Sequence, residues 1–396
     1  MGSMSMASKR QAGFWLPSAS LGTALVLSLL LAALVFAAAF IRPENNWDAL
    51  AYSALAKEAR GEEGHLAAYR EMKERVAPEI YREFTAGPYR EKMERDDAYF
   101  DANMPFYASK PAYVAAVSLI GGIVGSDFWA MSFISGLSTA LAIILSFFVA
   151  RALLPPNQLL IVPIAWIAGL GLKIATLFTP DAMAICLQIL FLLFWLRRKD
   201  GPVQMALLVA VAMAWVATRA NALLFIVILC FVELVIERLA RPALIRAAVL
   251  VAGALAVHLA IVAATGNHGQ LVLFNFVFVD KPDGMAFPNA GFYPVDYLRA
   301  IVFGLFEAMT GYPEFVLCVL ALCWLVLQLG RPLLQGEEPA DRETLILAAA
   351  MLLALGAHFA LYPAAWERFF VGYYVTTILL LARTLIGGPP LRAGRG

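Results

Sequence analysis

Ten long apolar runs divide the sequence and constrain its fold more than any other feature. A helix of roughly 20 apolar residues crosses a bilayer core, and in that core only helices or closed barrels satisfy their own backbone groups. Hydrophobic residues make up 61% of the 396 positions, whereas about half is usual for soluble domains. We therefore predict an all-α polytopic membrane protein, a single transmembrane domain over residues 1–396. The predicted spans are 19–41, 128–150, 158–175, 181–196, 203–217, 220–236, 245–264, 312–329, 343–361 and 368–386.

Positive charge orients these spans, because short cytoplasmic loops carry the excess of Lys and Arg. With Lys9 and Arg10 inside, ten spans place the basic loops around 151, 197–199, 238–246 and 331–342 on the same side. This arrangement predicts a multi-pass protein of the cell inner (plasma) membrane with cytoplasmic N- and C-termini. The first run is too long for a cleaved leader, so we interpret it as a span.

Two shorter apolar segments, 111–124 and 299–309, fall below the ~17 residues that a crossing needs, so we expect them at the interface. A crossing by 111–124 would also move the basic "RRKD" sequence outside. We predict a large outer loop at 42–127, with short juxtamembrane helices over 49–100 that break at 78 and 87–88. A second outer loop, 265–311, includes the segment 299–309.

The remaining composition excludes some functions. The net charge of +1 gives no global field for nucleic acid. The four cysteines lie in apolar runs without a C-x-x-C pair, so neither a disulfide nor a zinc site is expected.

Charged residues at the predicted outer ends of spans are the candidates for chemistry, because charge beside hydrocarbon is costly. The acids are Asp48 and Asp181, and Tyr52 lies one helical turn after Asp48. Each has a structural alternative: Asn45, Asn46 or Asp48 could cap a helix over 49–60, and Asp181 follows a proline at a helix start. The cations near this boundary are Lys173, Arg219, Lys281, Arg299 and Arg368.

The cations also have structural alternatives. Arg219, beside Asn221 in "ATRAN", could extend to the interface, and Arg368 could pair with its neighbour Glu367. A phosphate is the ligand that best explains several cations retained on the outer side.

The order of the segments resembles the GT-C class of integral membrane glycosyltransferases. The resemblance rests on "ENNWDALAY" after the first span, on "PFYASKPAYVAAVSLIGGIVGSDFWAMSF" and the span after it, on "FTPDAMAICLQILFLLFWLRR", on "TRAN" and on "ERFF". It covers mainly residues 40–220, and no single motif is specific. It implies a GT-C-like helical fold and a polyprenyl-phosphate sugar donor, with an active site that faces outside.

By this resemblance, Asp48 is the catalytic acid, and Arg219, Arg368 and Lys173 bind the donor phosphate. Asp181 is the second acid, supported by Tyr52, Glu367 and Asn221. An Asp-Glu or Asp-x-Asp pair is absent at Asp48, so the metal is unknown: no cofactor is certain, and a divalent metal ion stays open. The implied partners are the donor, membrane lipids and a glycan, lipid or protein acceptor.

Two other functions fit the same pattern. A polysaccharide polymerase or ligase would use similar outer cations. A lipid or glycan transporter would instead place ionisable residues deep in the membrane and break paired spans, and the sequence shows few such features.

Overall fold

The computed structural model describes residues 20–44, 46–198, 201–279 and 291–386. The described residues are helical and include no strand beyond an isolated bridge between Glu44 and Leu177, which confirms the all-α class. The helices are α1 (Leu21–Ile41), α2 (Asp48–Glu58), α3 (His65–Arg75), α4 (Pro78–Thr85), α5 (Pro88–Arg95), α6 (Asp97–Ala108), α7 (Pro111–Val124), α8 (Asp127–Leu153), α9 (Ile161–Ala168), α10 (Gly171–Thr176), α11 (Asp181–Leu196), α12 (Pro202–Thr218), α13 (Asn221–Ile236), α14 (Arg241–Thr265), α15 (Gln270–Phe274), α16 (Pro294–Gly311), α17 (Pro313–Leu334), α18 (Arg342–Leu361) and α19 (Val371–Ile386).

Within the described residues, five helices are long and apolar enough to cross a membrane: α1, α8, α14, α17 and α18. The number rises to six if the bent pair α6 and α7 is one span. Four more predicted spans correspond to α11, α12, α13 and α19, which have 16 or 17 residues. At about 1.5 Å per residue these helices are shorter than a ~30 Å core. The membrane class is thus supported, and the number of ten crossings stays a prediction.

The predicted span at 158–175 is not one helix. Leu170 has a left-handed backbone with φ of 64° and separates α9 from α10. Two glycines flank it in close packing: a Cβ on Gly169 would lie 2.8 Å from the Ala165 carbonyl oxygen, and one on Gly171 would lie 2.8 Å from the Trp166 ring. Close packing at this glycine pair therefore accompanies the break in the apolar run.

The two short apolar segments also form helices. α7 is bent by 109° from α6, so the chain turns sharply at Lys110. α16 is longer than the predicted 299–309 and buries Ala300, Gly304 and Ala308 on one face. Whether either segment crosses stays a prediction, as do the predicted loop boundaries at 42–127 and 265–311.

Helix α8 is central to the bundle and packs against α1, α7, α10 and α11. Its buried face joins one apolar core that extends through α11, α12, α13, α18 and α19. Both ends of α11 carry charged groups that contact neighbouring elements. Asp181 begins this helix, and Arg198 follows its end, about 25 Å away at helical rise.

At the Arg198 end, buried charges join the neighbouring helices. The Arg198 guanidinium, 1% exposed, lies 2.7 Å from Glu233 on α13 and 2.9 Å from Glu343 on α18. Arg246 on α14 also binds Glu233, at 2.8 Å. These ion pairs fix the relative positions of four helices at the end of the bundle opposite to Asp181.

The helices predicted for residues 49–100 are present, with starts at Pro78 and Pro88. They do more than lie on a surface with solvated charges, because they enclose a second apolar core that includes Leu50, Met72 and Phe100. An ionic network attaches this core to the start of α8. The fully buried Asp127 accepts bonds from Arg60 at 2.9 and 3.1 Å.

Candidate active site

Asp48 is the first residue of α2, and its carboxylate is free of a capping role. The Ala49 amide is bonded instead by the Asn46 side chain at 3.2 Å, while Asn45 lies outside the described residues. The preceding chain is held by the Glu44 amide, which donates to the Thr176 carbonyl at 2.8 Å. This contact brings the start of α2 close to the loop before α11.

Asp181 begins α11, as the Thr-Pro-Asp sequence predicts. It is buried, and the Thr179 hydroxyl donates to its Oδ2 at 2.7 Å. Its Oδ1 pairs directly with the Arg219 guanidinium. The predicted structural role at the helix start and a role in the site are therefore both compatible with its position.

Arg219 and Arg368 come from distant parts of the chain and meet over one aromatic ring. The Arg219 guanidinium lies 4.5 Å from the Phe369 ring centre, and that of Arg368 lies 5.2 Å from the same ring. Arg368 binds Asp48 at 3.2 Å and is 4.0 Å from Asp181. Two acids and two cations predicted from separate outer segments thus form one cluster.

Lys110, which the sequence analysis did not select, joins this cluster. It lies in the bend between α6 and α7, where its ammonium donates to the Phe106 carbonyl and lies 5.4 Å from the Tyr107 ring centre. Burial, with repulsion from Arg219 and Arg368, lowers the pKa of Lys110 from 10.5 to about 7, and attraction by Asp48 only partly offsets this. A sequence signal for Lys110 exists, since it is a cation within an aromatic segment of the predicted outer loop. We define the charge cluster as Asp48, Lys110, Asp181, Arg219 and Arg368.

Three tyrosines form a wall beside Asp48. Tyr52 is 3% exposed and packs edge-on against Tyr107 and Tyr113, with ring centres 5.5 and 4.9 Å away. The Tyr107 hydroxyl donates to Asp48 Oδ1 at 3.4 Å. Burial and the Asp48 charge raise the pKa of Tyr52 well above its usual value, so its hydroxyl stays neutral.

A small cavity lies within the cluster, between the starts of α11 and α13 and the chain before α19. Its volume is about 20 Å³, which accommodates about one water-sized group. Asn221, the first residue of α13, lines it beside Asp181, Arg219 and Arg368. Below these polar groups, its walls are mainly aromatic and include Trp215, Phe369 and Tyr373.

Lys173 and Glu367 pair with each other rather than with the cluster. The Lys173 ammonium lies 2.7 Å from Glu367 Oε2, and its side chain is 44% exposed. Glu367 therefore pairs with Lys173 and not with its neighbour Arg368, which binds Asp48. The phosphate role of Lys173 stays a prediction. Of the other boundary cations, Arg299 pairs with Asp296 at 3.2 Å, and Lys281 lies outside the described residues.

A separate apolar groove of about 590 Å³ is formed by α1, α7 and α8. It is lined by Phe40, Ile120, Ile123, Val124, Trp129 and Phe133. Because this lining has no ionisable side chain, the groove adds no chemical group to the cluster.

The acids of the cluster do not form a cage for a metal ion. In the described ranges, no group of three or more His, Cys, Asp or Glu side chains is placed to hold one. A divalent ion at this cluster thus stays a prediction that the sequence leaves open.

Comparison with protein-family models gives no match for this chain, and comparison with curated proteins gives none either. The assignment of a function therefore depends on the chemistry of the charge cluster and on the order of the segments that build it.

Proposed function

We propose that this chain is an inverting glycosyltransferase of the GT-C type, which moves a sugar from a polyprenyl-phosphate donor to an acceptor at the outer (periplasmic) membrane face. The observation that carries the proposal is the meeting of Asp48 with Arg368, 320 positions apart in sequence. Around this pair, the cluster has three cations and two carboxylates, so it carries one net positive charge with Lys110 protonated. A polyprenyl-phosphate sugar is a phosphodiester with one negative charge, which complements it.

In this proposal Asp48 is the general base. The acceptor hydroxyl oxygen attacks the anomeric carbon, the bond from that carbon to the phosphate oxygen breaks, and the hydroxyl proton passes to the Asp48 carboxylate. The products are the glycoside, with inverted configuration, and the polyprenyl phosphate. A base within hydrogen-bond reach typically contributes about 10²- to 10⁴-fold to such a step.

The cations stabilise the leaving group. As the glycosidic bond breaks, the phosphate gains negative charge, and fixed cations stabilise that charge more in the transition state than in the ground state. Arg219 and Arg368 are held in place by Phe369 and by the two acids, and Lys110 adds a third donor. The neutral Tyr52 and Tyr107 hydroxyls are suited to bond sugar hydroxyls near Asp48.

The test of the base is Asp48→Asn in the purified full chain in liposomes, with a radiolabelled polyprenyl-phosphate sugar and extracted cell-envelope acceptors. We expect turnover to fall about 10²-fold or more, with donor affinity retained because Arg368 is released. Asp101→Asn changes an exposed acid outside the cluster and serves as the control. Near-normal turnover of the Asp48 variant would refute the base assignment.

The test of the phosphate site uses Arg219→Ala and Arg368→Ala. Each removes a charged hydrogen-bond donor, so each should weaken donor binding about 10- to 100-fold. Donor affinity is measured by displacement of a fluorescent polyprenyl phosphate in nanodiscs. An unchanged affinity in both variants would remove the phosphate role.

A further inference from the structure

Gln188 lies below the charge cluster, inside the bundle, and has an unsatisfied donor. It is two helical turns after Asp181 on α11, about 10 Å further along the helix. Its side chain is 4% exposed and lines the small cavity that Arg219 and Arg368 also line. Among the described residues, none accepts a hydrogen bond from its Nε2. A buried amide donor without a partner is uncommon in proteins and points to a ligand or an ordered water.

The packing of α19 holds the Gln188 amide in place. Gly372 faces it so closely that a Cβ there would lie 2.0 Å from Gln188 Oε1 and 3.3 Å from Nε2. Only glycine leaves room for the amide at this position. Gly372 therefore provides the space that the amide occupies, and a larger residue there would displace it.

The groups around the cavity favour an acceptor. Arg219, Arg368 and Gln188, which all carry N–H donors, line it, while the Asp181 carboxylate is already bonded by Thr179 and Arg219. The cavity volume of about 20 Å³ matches a single oxygen-sized group. An oxygen of an anion would satisfy the Gln188 amide and remain within the field of the two arginines.

We infer that Gln188 binds the most deeply buried oxygen of a phosphate group whose other oxygens contact Arg219 and Arg368. This inference rests on the proposed function, because it takes the anion in the cluster to be a phosphate. The same chemistry could come from a lipid-linked phosphate or from inorganic phosphate, and the test separates the two.

The test compares Gln188→Met, which keeps the length but removes the N–H group, with Gln188→Glu, which keeps the shape but adds negative charge. The dissociation constant of a C55 polyprenyl phosphate is measured for the full chain in nanodiscs. We expect Gln188→Met to weaken binding about 10- to 100-fold, and Gln188→Glu to weaken it further by repulsion. Gly372→Ala should give a loss similar to that of Gln188→Met, because the added methyl displaces the amide.

A matched control is Gln204→Met. Gln204 also has a buried side-chain atom without a partner in the described part of the chain, but it lies at the end of α12 away from Arg219. Its variant should bind polyprenyl phosphate as the wild type does. Thermal unfolding of each variant identifies losses of binding that come from misfolding. The affinities of Gln188→Met and the wild type are compared at the same fraction of folded protein.

Inorganic phosphate provides the second arm. A site for lipid-linked phosphate binds the C55 probe far more tightly than inorganic phosphate, whereas a site for free phosphate binds both with similar affinity. In either case, Gln188→Met weakens the binding of the ligand that the site takes. If Gln188→Met stays within twofold of wild type while Arg219→Ala loses binding, the inference is wrong and the phosphate site stands. If the wild type binds phosphate with the Gln188 effect but transfers no sugar, the proposed function fails and the inference stands.

Discussion

If the proposed polyprenyl-phosphate donor binds at the charge cluster, Lys110 makes its binding depend on pH. Burial and two neighbouring arginines lower the pKa of Lys110 to about 7, so its charge changes within the physiological range. A bound phosphodiester stabilises the charged ammonium and raises the Lys110 pKa in the complex. Donor affinity is therefore highest below pH 7 and falls as the pH rises through 7.

The magnitude follows from the protonated fraction. With a pKa of about 7 in the free protein, Lys110 is roughly 90% charged at pH 6 and roughly 10% charged at pH 8. If the complex keeps the ammonium charged over this range, the dissociation constant increases roughly tenfold between pH 6 and pH 8. The donor phosphodiester keeps its single charge throughout and adds no dependence of its own.

The assay is titration of a polyprenyl-phosphate sugar against the full chain in nanodiscs at pH 6, 7 and 8. Lys110→Arg stays charged at all three values, so its affinity should be high and flat. Lys110→Met should be flat and weaker than the wild type at every pH, pH 8 included, because it never carries the charge. A wild-type affinity that does not change with pH, or an Arg variant that retains the tenfold change, would refute this account.

Two further predictions concern the fold around the cluster. Asp127→Ala removes a fully buried carboxylate from its cations and should lower the free energy of unfolding by about 3–5 kcal/mol, seen as a lower midpoint of thermal unfolding by tryptophan fluorescence. The control Arg82→Ala breaks an exposed ion pair and should lower it by less than about 1 kcal/mol. Equal losses of stability in the two variants would contradict the role of burial. Gly304→Ala places a Cβ 2.2 Å from the Pro363 carbonyl and should lower the same midpoint, whereas Gly311→Ala meets no atom within 4 Å and should not; a harmless Gly304→Ala would show that α16 can move.

The sequence was sufficient for the helical class and for much of the cluster. Apolar runs determine where helices such as α8 and α18 form, because the bilayer imposes their length and composition. The loop charges predict Asp48, Asp181, Arg219 and Arg368 on one side, and in the structure these four side chains lie together. Such charges meet because charge beside hydrocarbon is costly, which favours pairing among the few charged residues at the ends of apolar runs.

The features that the sequence did not predict depend on packing. The break at Leu170 coincides with close contacts at two glycines inside an apolar run, which hydropathy treats as continuous. The place of Lys110 depends on the 109° bend between α6 and α7, and that of Gln188 depends on Gly372 in a helix far along the chain. The contact between Gln188 and Gly372 joins positions far apart in the chain, so a single sequence does not reveal it.

The ion pairs of the cluster give the proposed reaction an order. Asp48 accepts a bond from Arg368 on Oδ2 at 3.2 Å and one from Tyr107 on Oδ1 at 3.4 Å, and these two donors occupy positions beside the carboxylate that an acceptor hydroxyl would need. A donor phosphate competes with Asp48 for Arg368, because both are anions that bind the same guanidinium. As Arg368 turns to the phosphate, Asp48 is released beside the anomeric carbon. On this account the base becomes available only when the donor is bound, so donor binding precedes activation of the acceptor hydroxyl.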